Sequence, residues 1–161
     1  MIFDVDGVLT DGRIYYSDSG AEMKAFSTLD GHGIRMLMKS GVIVAILTGR
    51  RSDVVAHRAR NLGITHVLQG VEEKRSAFLG LATSLEIEPS RCGYMGDDVV
   101  DLPVLTRCGF GAATREAPEI VKRHAHFVAT QPAGAGAARE VCETLMRAQG
   151  TLDAALAPYL E

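Results

Sequence analysis

Asp4-Val5-Asp6-Gly7-Val8-Leu9-Thr10 follows directly after a short apolar run, residues 1–3, which predicts a core strand ending in two carboxylates. Carboxylates are costly to bury unpaired, so this pair indicates a nearby cation. Mg²⁺ prefers oxygen ligands and also binds phosphate. A carboxylate can attack phosphorus and form an aspartyl-phosphate. The stretch therefore predicts a phosphoryl-transfer site with Asp4 as nucleophile and Asp6 as proton carrier; the alternative is an Asp- and Gly-rich turn after an edge strand.

The composition is that of a globular protein. Of its 161 residues, 47% are hydrophobic and 23% charged, so we expect one domain over residues 1–161. The formal net charge of -3 argues against a nucleic-acid or membrane-surface partner. Three scattered cysteines, without a Cys-x-x-Cys pair, favour neither a disulfide framework nor a thiolate zinc site. A reducing cytoplasm fits this cysteine content.

Apolar, strand-like runs alternate with amphipathic, helix-like stretches along the chain. This alternation predicts an α/β fold, a doubly wound, Rossmann-like parallel sheet with helices on both faces. The carboxyl ends of such strands share one edge, where ligands bind. The predicted strands are 1–5, 42–47, 66–68, 93–95, 109–112 and 126–128, and the predicted helices are 31–39, 53–62, 74–85, 99–106, 118–122 and 137–148.

Three further polar segments follow predicted strands. Thr48 and Gly49 close the second core strand, where a hydroxyl and free backbone N–H groups suit a phosphate oxygen; the alternative is an ordinary helix start. Lys74 opens a helix, where a cation is unfavourable for the helix dipole, so it suits an anionic ligand; the alternative is a solvated side chain.

The third segment, Gly96-Asp97-Asp98-Val99-Val100-Asp101, places three carboxylates at the start of a helix. One acid is enough to cap a helix, so three indicate a cation. We therefore predict Mg²⁺ held by Asp4, Asp97 and the backbone carbonyl of Asp6, with Asp98 and Asp101 behind them. Thr48 and Lys74 would hold phosphoryl oxygens, and Asp6 would protonate the leaving oxygen and later activate water.

These four motifs, in this order, resemble those of the haloacid dehalogenase (HAD) superfamily of phosphohydrolases. Nearly the whole chain is similar to its 3-deoxy-D-manno-octulosonate 8-phosphate phosphatase family, through the segments 6–12, 24–26, 30–35, 62–64 and 139–140. The resemblance implies hydrolysis of a phosphorylated 2-keto-3-deoxy sugar acid to the free acid and phosphate. It also implies a role in lipopolysaccharide core biosynthesis and a homotetramer.

The resemblance extends to the substrate contacts. Arg50 and Arg58 match arginines near the substrate, and arginine suits the carboxylate of a sugar acid because it can bind it bidentately. One departure is Ala133-Gly134-Ala135-Gly136-Ala137, which replaces a Gly-Gly-basic-Gly-Ala stretch that reaches a neighbouring subunit. Beside Asp6, Thr48, Gly49, Lys74 and the two arginines, the positions implied to bind substrate are Ser27, Thr28, Leu29, Asp30, Gly31 and Arg35.

A β-hairpin and a tail complete the predicted architecture. Short runs around Ser17-Asp18-Ser19-Gly20 predict a hairpin flap over about 13–27. The spacing of the four motifs leaves no room for a cap domain. Since the hairpin's Ile14, Tyr15, Tyr16 and Phe26 are too apolar for a free flap, we expect neighbouring subunits to pack there and cover the sites. The Ala-, Gly- and Pro-rich stretch 131–136 begins a predicted flexible tail over about 131–161.

Three other functions remain open at this point. A phosphatase for nine-carbon, sialic-acid-like 9-phosphates would share the capless framework and the mechanism. A phospho-receiver signalling domain also combines Asp, Mg²⁺, Thr and Lys, but it carries its phosphoacceptor on a later strand, so the early Asp4-x-Asp6 pair favours the phosphatase. A catalytically inactive binding domain would be expected to have lost a motif carboxylate, and none is missing.

Overall fold

The computed structural model describes residues 1–160 as strands and helices around a parallel sheet. The strands are β1 (Ile2–Phe3), β2 (Tyr15–Tyr16), β3 (Glu22–Met23), β4 (Ala45–Thr48), β5 (His66–Gln69), β6 (Gly93–Gly96), β7 (Phe110–Ala113) and β8 (Phe127–Val128). The α-helices are α1 (Thr28–Lys39), α2 (Asp53–Leu62), α3 (Lys74–Ser84), α4 (Leu102–Leu105), α5 (Glu119–Lys122), α6 (Ala137–Ala148) and α7 (Leu152–Leu156). Short 3₁₀ helices span Pro89–Arg91, Val99–Asp101 and Ala157–Tyr159.

Six strands form the main sheet in the order β5-β4-β1-β6-β7-β8, and every pair in it is parallel. The predicted doubly wound α/β fold is therefore confirmed. Phe3 of β1 pairs with Ile46 on one side and with Met95 on the other. The chain passes from β1 to β4 on one side and returns to β6 on the other, so β1 lies at the switch point where ligands bind in such sheets.

Apolar side chains of the central strands alternate between the two faces of the sheet. Phe3 and Ile46 pack with α1, α2 and α6 on one face, and Ile2 and Leu47 pack with α3, α4 and α5 on the other. Strands buried on both faces contain continuous apolar runs, which is why the sequence revealed them. This double burial fixes the strand ends, and therefore the residues that follow them.

The hairpin is the only irregular insertion between β1 and β4 in the described part of the chain. Its strands β2 and β3 pair antiparallel, with Tyr15 opposite Met23 and Tyr16 opposite Glu22. The predicted hairpin is confirmed, and no separate cap domain is found within residues 1–160. None of the helices in this range is long and apolar enough to cross a membrane.

The tail that was predicted to be flexible over 131–161 forms helices α6 and α7 and a 3₁₀ helix, and residue 161 lies outside the described range; the flexibility of the tail stays a prediction. Helix α6 buries Ala137, Val141 and Met146 against the core that it shares with α1. Before it, the Gly134 N–H donates a 3.0 Å hydrogen bond to the Val8 carbonyl. The small residues of 131–136 thus allow close backbone packing next to the Asp4–Thr10 loop. Composition alone does not distinguish a Gly- and Ala-rich stretch that packs closely from one that is flexible.

Gly134→Ala tests this packing. Gly134 has a φ of 63°, and an added Cβ would lie 2.5 Å from the Thr10 carbonyl carbon. We expect the substitution to lower the free energy of unfolding by about 2–4 kcal/mol, measured by urea denaturation. Gly150→Ala is the matched control, because Gly150 also has a positive φ of 69° but open space around its Cβ, so only about 1 kcal/mol should be lost. Equal losses in both variants would contradict the close packing.

Candidate active site

The sheet brings together the four motifs predicted to carry the chemistry. Asp4 follows β1, Thr48 ends β4 and Asp97 follows β6, so all three lie at the carboxyl edge of adjacent strands. Lys74, the first residue of α3, reaches the same place, and its Nζ donates a 2.7 Å hydrogen bond to Oδ2 of Asp4. Asp4, Thr48 and Lys74 are all buried.

Lys74 is the cation of this cluster. Its Nζ lies 2.6 Å from Oδ1 of Asp101 and 3.2 Å from the Tyr94 hydroxyl, as well as next to Asp4. Burial opposes its charge, but the two carboxylates outweigh burial and raise the Lys74 pKa. Lys74 is therefore a fixed ammonium at the nucleophile, placed to balance the charge of an anionic substrate. Tyr94, which sequence reasoning missed, holds this ammonium from within the apolar strand β6.

Asp101 fixes the loop after β6. It is fully buried, its Oδ2 accepts the N–H groups of Asp97 at 2.9 Å and of Asp98 at 3.1 Å, and its Oδ1 accepts from Lys74 and Tyr94. Both oxygens are therefore occupied by protein donors. Asp98 caps the following 3₁₀ turn through the Val99 N–H at 2.7 Å. Asp101 thus lies beside Asp4 and Asp97, whereas Asp98 is exposed, and the predicted supporting role of both residues stays a prediction.

Three carboxylates are crowded at the end of β1. Oxygens of Asp4, Asp97 and Asp101 lie within 4.8 Å of one another, a grouping that fits a metal ion. Burial, and then the charges of Asp101 and Asp4, raise the Asp97 pKa to about 7. Burial likewise raises the Asp4 pKa to about 6, although Lys74 acts in the opposite direction. The site therefore holds more negative charge than one lysine balances, and a divalent cation would relieve the excess.

Gly7 leaves room for this cluster. Its φ is 82°, and a Cβ at this position would lie 2.1 Å from Oδ2 of Asp97. Only glycine combines that backbone conformation with that contact. The glycine after Asp6 is thus required by the approach of the β6 loop to the β1 loop.

Asp6 points toward the hairpin. Its Oδ1 accepts a hydrogen bond from Nζ of Lys24, and the same Nζ lies 2.8 Å from Oε1 of Glu22. Nη2 of Arg50 donates a 2.7 Å hydrogen bond to Oε2 of Glu22. Burial opposes the charge of Lys24, but its hydrogen bonds to the carboxylates of Asp6 and Glu22 raise its pKa. Glu22 and Lys24 were not predicted; the signal that could have found them is the alternation of charged residues around Met23, which puts both on one face of the strand.

The positions predicted to bind the sugar form a second group. Arg58 Nη2 donates a 2.8 Å hydrogen bond to the carbonyl of Ser27, and Arg35 donates to the carbonyl of Asn61. Thr28 and Leu29, at the start of α1, are exposed. Within residues 1–160, no direct hydrogen bond joins this group to Asp4, Lys74 or Asp97. A substrate that contacts both groups would therefore have to bridge them.

Two of the predicted substrate residues have structural roles. The Asp30 side chain is buried, and its oxygens accept the Arg139 N–H at 2.9 Å and the Gly136 N–H at 3.3 Å. It therefore anchors the start of α6, as a carboxylate at a helix N-terminus commonly does, and its substrate contact stays a prediction. Gly31 is buried beneath Arg58, where a Cβ would lie 2.2 Å from Nη2, so it makes room for that arginine rather than for a ligand.

Comparison with known proteins places these features in a family. Residues 63–141 match the haloacid dehalogenase-like hydrolase family. The chain is 43% identical over 155 residues to the 3-deoxy-D-manno-octulosonate 8-phosphate phosphatase of Yersinia pestis. The aligned region covers 96% of this chain and 83% of that protein.

Solved structures agree with that relationship. The 3-deoxy-D-manno-octulosonate 8-phosphate phosphatase of Moraxella catarrhalis, solved with a magnesium ion, a phosphate ion and a KDO molecule, superposes with a TM-score of 0.96 at 44% identity, over 98% of this chain and 91% of that one. A probable YrbI family phosphatase from Pseudomonas syringae gives a TM-score of 0.98 at 49% identity, over 99% and 91%. The chain therefore belongs to the 3-deoxy-D-manno-octulosonate 8-phosphate phosphatase family of haloacid dehalogenase-like hydrolases.

Proposed function

We propose that this protein is a Mg²⁺-dependent phosphatase that hydrolyses 3-deoxy-D-manno-octulosonate 8-phosphate to the free sugar acid and phosphate. The observation that carries the proposal is the buried Asp4–Lys74 pair beside Asp97 at the end of β1. The Moraxella relative, solved with magnesium, phosphate and KDO, supports the choice of cation and substrate. The reaction would serve lipopolysaccharide core biosynthesis in the cytoplasm.

The arrangement supplies a nucleophile and a counter-charge. Oδ1 of Asp4 accepts the Val5 N–H at 2.7 Å and Oδ2 accepts from Lys74, so the carboxylate is held in one orientation. Attack of Asp4 on phosphorus forms an aspartyl-phosphate while Asp6 gives a proton to the leaving sugar oxygen. Asp6 then takes a proton from the water that hydrolyses the intermediate. Lys74, with Thr48 and the Gly49 backbone, would hold the phosphoryl oxygens.

The crowded carboxylates fit a divalent cation. Asp4, Asp97 and the Asp6 backbone carbonyl would hold Mg²⁺, because both oxygens of Asp101 are engaged by Lys74, Tyr94 and the loop N–H groups. When bound, the cation neutralises negative charge on the phosphoryl group. Asp98 and Asp101 keep the loop that carries Asp97 in place.

The sugar acid would lie between the hairpin and the start of α1. Arg50 and Arg58 are the proposed partners of its carboxylate, with Arg35, Ser27, Thr28 and Leu29 nearby. Arg50 is held by Glu22 at 2.7 Å, and Arg58 by the Ser27 carbonyl at 2.8 Å. Both guanidiniums are therefore oriented before substrate arrives, which lowers the entropic cost of binding.

We propose a homotetramer in which the hairpins of neighbouring subunits cover the sites. Ile14, Tyr16 and Met23 expose 48%, 60% and 55% of their surface in the single chain. Apolar side chains so concentrated on one small hairpin indicate an interface. Their burial by neighbouring subunits would also exclude water from a site that has no cap domain.

The first test is phosphate release from 3-deoxy-D-manno-octulosonate 8-phosphate, beside a panel that includes a nine-carbon, sialic-acid-like 9-phosphate. We expect Mg²⁺-dependent turnover that EDTA abolishes and that Asp4→Asn lowers by at least about a thousandfold, because the amide is a poor nucleophile. Circular dichroism of Asp4→Asn controls for folding. Equal or faster turnover of the nine-carbon substrate would overturn the proposed substrate, and full activity of Asp4→Asn would overturn the mechanism.

The raised carboxyl pKa values predict that Mg²⁺ stabilises the protein more as pH rises. The pKa is about 6 for Asp4 and about 7 for Asp97 in the folded protein, and both groups ionise at lower pH in the unfolded chain. As pH rises from about 4 through 7, ionisation therefore favours the unfolded chain, and the metal-free protein loses stability. Protons compete with the cation at low pH. The increase in Tm on adding Mg²⁺ should therefore be larger at about pH 8 than at about pH 5.

Asp97→Asn is the matched variant for this measurement, since it removes one charge and one proposed ligand. Its metal-free Tm should fall less with rising pH, and Mg²⁺ should raise its Tm less at high pH. A Mg²⁺ effect in the wild type that is the same at both pH values would contradict the proposed ligands.

Met23→Glu tests the hairpin interface. Met23 lies between Glu22 and Lys24 and therefore points away from the Asp6 cluster. A buried charge there should dissociate the tetramer, seen by light scattering, and lower turnover by about tenfold or more as the sites open. Ile120→Glu is the control, because Ile120 is 46% exposed but lies on α5, away from the hairpin. A monomeric wild type, or a Met23→Glu tetramer, would overturn the proposed assembly.

A further inference from the structure

Lys24 is buried at the base of the hairpin, outside all four strand-end motifs. Its side chain is only 1% exposed, and its ammonium is placed between the carboxylates of Asp6 and Glu22. An ammonium is costly to bury unless it is paired. Here both partners are supplied within the same cluster, so the position of Lys24 is determined by Asp6 and Glu22 together.

The two oxygens of Asp6 have different surroundings. Oδ1 accepts the hydrogen bond from Lys24. Oδ2 is buried and has no hydrogen-bond partner among residues 1–160, and Nε of Arg50 lies 3.9 Å from it. One oxygen is thus fixed by the hairpin, and the other is left without a hydrogen-bond partner in the described chain.

We propose that Lys24 is a positioning residue, which holds Oδ1 of Asp6 so that Oδ2 exchanges the protons of the reaction. The inference rests on the proposed phosphatase function. In the first half-reaction, Oδ2 gives its proton to the sugar oxygen as the phosphorus–oxygen bond to the sugar breaks and the bond to Asp4 forms. In the second, Oδ2 takes a proton from water as the water oxygen bonds to phosphorus and the Asp4–phosphorus bond breaks.

Glu22 extends this arrangement to the substrate side. It contacts Lys24 through Oε1 and Arg50 through Oε2, at 2.8 Å and 2.7 Å. The hairpin strand β3 therefore connects the acid–base residue to an arginine proposed to bind the sugar acid. Proton transfer by Asp6 would accordingly depend on a correctly folded hairpin in the same chain.

The test is a double-mutant cycle with Lys24→Met and Asp6→Asn, assayed with 3-deoxy-D-manno-octulosonate 8-phosphate and Mg²⁺. If Lys24 acts through Asp6, Lys24→Met should lower kcat about ten- to a hundredfold while KM changes by less than about twofold. In the Asp6→Asn background the same change should have no further effect. Lys24→Arg, which keeps a cationic donor, should restore most of kcat, and Lys39→Met on the exposed end of α1 should leave it unchanged.

Three results would overturn the inference. These are an unchanged kcat in Lys24→Met, a change in KM alone, or a double variant whose kcat falls by the product of the two single-variant losses. Lys24→Gln, which keeps a neutral donor, serves in the same cycle if Lys24→Met does not fold. A wild-type protein without activity toward the octulosonate phosphate would overturn the proposed function itself, whereas an active wild type with an unaffected Lys24→Met would overturn only the role of Lys24.

Discussion

The crowding of negative charge at the end of β1 is the constraint on which the rest of the site depends. Asp4, Asp97 and Asp101 lie within one small, buried space because β1 and β6 are adjacent in the sheet. Lys74 contacts two of the three, and the raised pKa of Asp97 shows that its charge is not balanced. Such a site is costly when empty, and it becomes favourable when a cation and a phosphoryl group share it.

In the proposed function, the hairpin would take the place of a cap domain. On its inner side, Glu22 and Lys24 contact Asp6 and Arg50, so a few residues join acid–base chemistry to substrate recognition. On its outer side, exposed apolar residues such as Met23 are suited to a second subunit. Strand alternation separates these two roles, since successive side chains point to opposite faces. A two-stranded ribbon is marginally stable alone, so ion pairs to the sheet edge help to fix it.

The sequence predicted the strands and the strand-end residues, because these features depend on local pattern and on strand order. The central sheet strands were found because burial on both faces makes them apolar. Asp4, Thr48 and Asp97 meet because each lies at the same end of neighbouring strands, and Lys74 reaches them from the start of α3. The contacts that the sequence did not reveal are between residues distant in the chain. Asp30 matched a substrate loop, but its carboxylate binds N–H groups 106 and 109 residues away. Lys24 meets Asp6 only because the hairpin folds back, and no periodicity encodes that return.

Asp6 also separates hydrolysis from signalling. A phospho-receiver signalling domain would be distinguished from a phosphatase by a long-lived aspartyl-phosphate. Here Asp6 lies two residues from the proposed nucleophile, with Oδ1 held by Lys24 and Oδ2 without a hydrogen-bond partner within the described chain. A carboxylate so placed promotes attack by water on the intermediate. In the proposed mechanism, the same β1 loop would form the aspartyl-phosphate and carry the group that removes it, which would favour turnover over storage of the phosphoryl group.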